Sequence, residues 1–147
     1  MRGDTRERGA SLPETALVIA IVLTLMFGII DFGRALYTYG FVAQLARQGA
    51  RWAIVRGSQC TKLDNCPAQG GSTDIQPYVQ SLSEGATNAS LITANLQWPS
   101  CPNSATGSNA PGCTAEVTVT YPFSFVLPYL PKAQITMSST SEMVVSQ

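Results

Sequence analysis

From Leu12 to Ile30 the chain carries one charged side chain, Glu14, and from Thr15 to Ile30 it reads TALVIAIVLTLMFGII with none. As a helix, that uncharged run rises roughly 24 Å, slightly less than a hydrocarbon core of about 30 Å. Counting from Ala10 closes the gap, because helix ends can sit among lipid headgroups. The first expectation is therefore a membrane-inserted helix at the N-terminal end, spanning 12–30.

Before that run, Met1 to Gly9 is short and charged, with Arg2, Asp4, Arg6, Glu7 and Arg8. Three readings compete. A secretory signal peptide would need a small-x-small cleavage site soon after the apolar run, but Asp31-Phe32-Gly33-Arg34-Ala35-Leu36-Tyr37 continues a helical pattern instead. A plain anchor is the second reading. Its arginines lie on the N-terminal side, so the positive-inside rule puts the N-terminus in the cytoplasm, with Arg34 beyond the far end acting weakly against that bias. The third is a prepilin-type leader cut between Gly9 and Ala10. Glu14 then becomes the fifth residue of the mature chain, directly before the apolar run. An ionised acid in lipid costs on the order of 2–3 kcal/mol. A neighbouring subunit's new α-amino group would offset that cost and set the assembly register. A simpler role for Glu14 is to favour the helix N-terminus, worth about 0.3–1 kcal/mol, and the two roles are compatible. Pro13 also fits, since the first N–H groups of a helix have no intrahelical acceptor to lose.

From Asp31 to Val55 the helical period persists but becomes amphipathic. Phe32, Leu36, Tyr39, Ala43, Ala46, Ala50 and Ala53 form one seam, opposite Arg34, Thr38, Gln44, Arg47, Gln48 and Arg51. The second half of the seam, rich in alanine with Gly49 close by, is expected to hold the soluble domain. The first half, Phe32, Leu36 and Tyr39, is expected to contact other subunits.

The stretch Gly9-Ala10-Ser11-Leu12-Pro13-Glu14, the apolar run to Ile30, Asp31 to Tyr37, and Ala46-Arg47-Gln48-Gly49-Ala50-Arg51-Trp52-Ala53 resembles the N-terminal region of TadE-like pilins of the tight-adherence (Flp) branch of type IV pilus systems. The likeness covers about Gly9 to Gly57. Thr15 stands where members often carry an aromatic. What the resemblance implies is a structural subunit in the bacterial inner membrane, cut by a prepilin peptidase and assembled into, or assisting, an adherence fibre. Its expected partners are other pilin subunits, the peptidase, the inner-membrane assembly platform and the lipid bilayer. Principal subunits of this branch are much smaller than 147 residues, which points to a minor pilin.

Lysine plus arginine and aspartate plus glutamate both total 9, and histidine is absent. That balance gives no basic face for nucleic acid, and the commonest general base and metal ligand is missing. No phosphate loop or nucleophile elbow appears, so neither an enzyme, a cofactor nor a metal site is expected. The reading to set against a pilus subunit is an uncleaved single-pass membrane protein with an extracytoplasmic binding or sensing domain.

The four cysteines, Cys60, Cys66, Cys101 and Cys113, all follow the apolar run, which fits an oxidising compartment. Pairing Cys60 with Cys66 and Cys101 with Cys113 closes two local loops. Tying the first loop to the second would instead staple helix to sheet, and the sequence does not separate them. A short helix is expected within 74–89, with Asp74 as N-cap, Pro77 in the first turn, and Ile75, Tyr78, Val79 and Leu82 on one face. Alternation then marks strands at Ile92 to Trp98, Val117 to Tyr121 and Ile135 to Val145. The segment Tyr121 to Pro131 carries Pro122, Pro128 and Pro131, which argue against a central strand. Its aromatic residues are expected to cover the core or to meet membrane or a neighbour.

The expected architecture is α+β: a leader at 1–9, a long helix at 10–56 (membrane half 12–30, amphipathic half 31–56), and an extracytoplasmic domain at 57–147. In that domain a three-stranded antiparallel sheet with disulfide-stapled loops lies against the helix.

Overall fold

The computed structural model describes residues 11–56, 75–85, 87–101, 109–126 and 134–146. The first helix, α1, runs unbroken over Ser11–Val55, 45 residues, or about 68 Å at the usual rise. A second helix, α2, spans Ile75–Ser83. It stops just before Gly85, whose φ of 88° suits a residue without Cβ. Three strands follow: β1 (Thr93–Ser100), β2 (Thr114–Ser124) and β3 (Gln134–Val144). They form an antiparallel meander in the order β1-β2-β3.

Three contacts fix how α1 lies on this sheet. Asp31 meets Val126 just past the end of β2, Arg34 lies over Phe123, and Gly49 meets Val117. From Asp31 to Gly49 the helix rises about 27 Å, and from Val126 to Val117 the strand covers about 30 Å. Hence α1 runs antiparallel to β2, and parallel to β1 and β3, along the strand direction. The core collects Val42, Leu45, Ala46, Ala50 and Ala53 from α1, Ile75 and Val79 from α2, and Leu96, Trp98, Val117 and Val119 from the sheet. A Cβ at Gly49 would sit 3.0 Å from Val117 Cγ1 and 3.2 Å from Ile75 Cδ1. The absent side chain is what lets α1 approach both β2 and α2.

Cys101 and Cys113 form a disulfide with Cα atoms 4.2 Å apart. It closes the β1–β2 connection just beyond the Ser100–Thr114 pair. Cys60, Cys66 and Asp74 lie outside the described residues.

Two expectations need correction. Pro122 does sit in the central strand, opposite Thr136 of β3. The β1 partner ends at Thr93, opposite Thr120. Val145 N–H donates to Cys113 O, so alternation turns the backbone groups of Cys113, Val117 and Tyr121 toward β3, and the nitrogen of Pro122 toward the side where β1 has ended. No ladder hydrogen bond is lost, as at any edge position. The second correction concerns the seam of α1. Ala46, Ala50 and Ala53 are buried, but the stripe reaches them through Asp31, Thr38, Val42 and Leu45, whereas Phe32, Leu36 and Tyr39 are exposed. A seam with a seven-residue repeat drifts about 20° per heptad on a straight helix. Over three heptads its two ends face different ways, and Thr38, expected on the polar side, is covered.

Candidate functional site: the exposed shaft and its junction with the sheet

Among the described residues, almost nothing packs on the apolar half of α1. Leu12, Leu17, Leu25 and Ile29 are each more than 60 % exposed. Over the most apolar window of this helix mean hydropathy is 2.4 and only 6 % of residues are buried. Every backbone group in a helix interior is bonded within the helix, which is the condition for crossing lipid. Among the described residues, this is one helix long and apolar enough to span a membrane. Glu14 lies in its first turn, next to Pro13. Thr24 turns its hydroxyl back onto Ala20 O at 2.8 Å, so the run carries no unsatisfied hydroxyl there. Gly9 and Ala10 lie outside the described residues.

Of the residues expected at an assembly surface, Phe32, Leu36 and Tyr39 share one face with Ile29, directly continuing the apolar half. They are 65 %, 57 % and 56 % exposed. Glu14 stands at the opposite end of that half and does not meet them. Tyr37 stacks on Phe41 at 6.3 Å between ring centres, around the side of the helix.

Where lipid-like surface gives way to the domain, a small polar device joins helix to sheet. Asp31 is buried, accepts from Arg34 Nη1 at 2.9 Å, and accepts the backbone N–H of Val126 at 3.0 Å. Arg34 also lies 5.5 Å from the Phe123 ring centre, and Phe123 meets Phe125 edge-on. The buried carboxylate is thus paired and hydrogen-bonded, as burial of charge requires. Beside it an open groove of about 460 Å³ is lined by Arg34, Tyr37, Thr38, Thr87, Tyr121 and Phe123. The acid and base three residues apart were visible in sequence as a helical pair. Nothing there pointed to Val126 as the third member. The same strand end exposes Val126 and Ile135, so apolar surface continues from the shaft onto the sheet's near end. The expected coverage by the Tyr121 to Pro131 segment therefore holds for Phe123, which is buried. Leu127 to Pro131 lie outside the described residues.

Among the described residues no three His, Cys, Asp or Glu side chains come together as a metal site requires. The described arrangement is an apolar rod, a bonded collar and a small head.

No curated protein and no solved structure matches the chain. Residues 9–51 match the family model described as TadE-like protein. That stretch contains the whole exposed rod, the Asp31 junction and the first part of the buried stripe, and over it the chain is similar to TadE-like proteins.

Proposed function

We propose that the chain is a structural subunit, a minor pilin, of a tight-adherence pilus or of its assembly platform. It is held in the inner membrane with the N-terminus cytoplasmic and the sheet domain outside, and a prepilin peptidase cuts it after Gly9. The observation that carries this reading is the division of one unbroken helix into an exposed apolar half and a docked half, on a segment that matches TadE-like proteins. In this reading the apolar half stays in lipid until it exchanges lipid for the apolar halves of other subunits. Phe32, Leu36 and Tyr39 extend that contact beyond the bilayer. Glu14 pairs with the new α-amino group of a neighbour, because an ionised carboxylate in an apolar bundle needs an opposite charge.

The intact mass of the membrane-extracted protein tests the reading. A loss of roughly 1 kDa, with a new N-terminus at Ala10, is the expected result, at about 110 Da per residue removed. A chain that begins at Met1 and has no fibre-linked partner sinks it and leaves a tethered domain. Glu14→Ala is expected to insert normally and to fail in assembly. Normal fibres from that variant refute the pairing role.

A further inference from the structure

The two edges of the sheet are treated differently. On the β1 side, the Gln76 side chain of α2 does what a neighbouring strand would do. Its Oε1 accepts Ala94 N–H at 2.6 Å and its Nε2 donates to Ile92 O. Gln80 adds a weaker donation to the same carbonyl. Pro99 and a register irregularity between Gln97 and Ser100 further spoil that edge. These are recognised ways of closing a sheet edge to other strands.

The β3 edge has none of them. β3 runs 11 residues, reads QITMSSTSEMV, and contains no proline or lysine and one charge, Glu142. Its register with β2 is unbroken from Gln134 to Val144. Because Val145 N–H faces β2, alternation turns the N–H and C=O groups of Thr136, Ser138, Thr140 and Glu142 outward. Among the described residues no hydrogen bond reaches them from outside the sheet. The outer edge is thus an unoccupied ladder about 36 Å long. Since β3 runs parallel to α1, it stands along the shaft direction, and among the described residues no strand pairs with its outer edge.

We propose that the outer edge of β3 takes up an extended strand from a different protein chain, with a basic side chain beside Glu142. The basic residue follows from the register: Glu142 lies directly opposite Glu116 of β2, and like charges so placed repel. A cation on the incoming strand relieves both. A second copy of this chain does not fit. Antiparallel pairing of two β3 edges uses a two-fold axis perpendicular to the sheet. That axis reverses α1, so the two apolar halves point in opposite directions. Side-by-side repetition keeps the helices parallel but brings β3 against the β1 edge, which Gln76 already fills. The exclusion of self-pairing rests on the membrane-anchored reading above; the open edge does not.

Hydrogen–deuterium exchange on the full chain in detergent micelles tests this. The probe is a synthetic strand peptide of alternating threonine and valine with one lysine opposite Glu142, compared with the same peptide carrying glutamate there. The lysine peptide is expected to slow exchange at Thr136, Ser138, Thr140 and Glu142 on the order of tenfold, as strand pairing protects amides. Ser138→Pro, which removes an outward N–H unused by the fold, should abolish that protection with an unchanged melting temperature. Ser138→Ala should retain it. Absence of protection with either peptide overturns the site. Equal protection by both peptides overturns the basic requirement, and protection that grows with the chain's own concentration overturns the choice of partner. Peptide uptake by a chain that in cells begins at Met1 would leave the edge standing and sink only the pilin reading.

Discussion

The two halves of α1 share one backbone but answer to different surroundings. In the first half, large aliphatic side chains cover every side: Leu17, Val18, Ile19, Ile21 and Val22 are all exposed in the isolated chain. In the second half a narrow stripe of Val42, Leu45, Ala46, Gly49, Ala50 and Ala53 is buried, while Gln44, Arg47, Gln48 and Arg51 face outward. A helix that is apolar all round suits lipid or a bundle of its own kind, whereas an amphipathic one suits a domain surface. Residue size follows the same division. Among the described residues nothing closes on the first half, so bulk is tolerated there. In the second half, β2 and α2 approach to contact distance at Gly49, where the missing side chain leaves them room.

That contrast breaks most readily at Leu45 and Leu25. Leu45→Ala, at a side chain 2 % exposed, should cost about 2–5 kcal/mol of domain stability, read by chemical denaturation in micelles. The matching Leu25→Ala should leave the domain's unfolding midpoint where it was. Equal losses at both sites would mean that the first half packs on the domain after all. Next in size is the disulfide. Cys101→Ser with Cys113→Ser releases a loop of sequence separation 12 and should remove about 3 kcal/mol by loop entropy, seen as a lower melting temperature with the helix content retained.

The junction gives a smaller effect. Asp31→Asn breaks the ion pair with Arg34 and weakens acceptance from Val126 N–H. A loss of about 1–2 kcal/mol is expected, with faster amide exchange at Val126. Unchanged exchange there would detach the collar from the sheet. Smallest is the expected effect of Phe32→Ser combined with Tyr39→Ser. Both side chains are exposed, so monomer stability should stay within about 0.5 kcal/mol while incorporation into fibres falls. A large loss of stability instead would assign them to the fold.

The long helix, the short helix and the three strands were legible because each is written in a local period. Ile92, Ala94, Leu96 and Trp98 alternate in sequence, and all four are buried. Ile75 and Val79 recur one turn apart, and both are buried. Pro122 was misread because a sequence shows that a proline lacks an N–H but not which side of the strand that nitrogen faces. The helix seam was misread for a related reason: small angular errors accumulate along a straight helix, and only the sheet's position decides which stripe is covered. The bond from Val126 to Asp31 joins residues separated by 95 positions, and the Gln76 cap on β1 depends on where α2 docks. Neither leaves a local trace.

Sequence by itself determined where the apolar rod begins and ends and which segments are strands, because both are recorded in spacing along the chain. Tertiary structure alone decided which stripe of the helix faces the sheet, how Asp31 is satisfied, and which of two sheet edges stays open. Those outcomes depend on distances between residues far apart in sequence, set when the helix, the small-residue stripe and the strands come to contact.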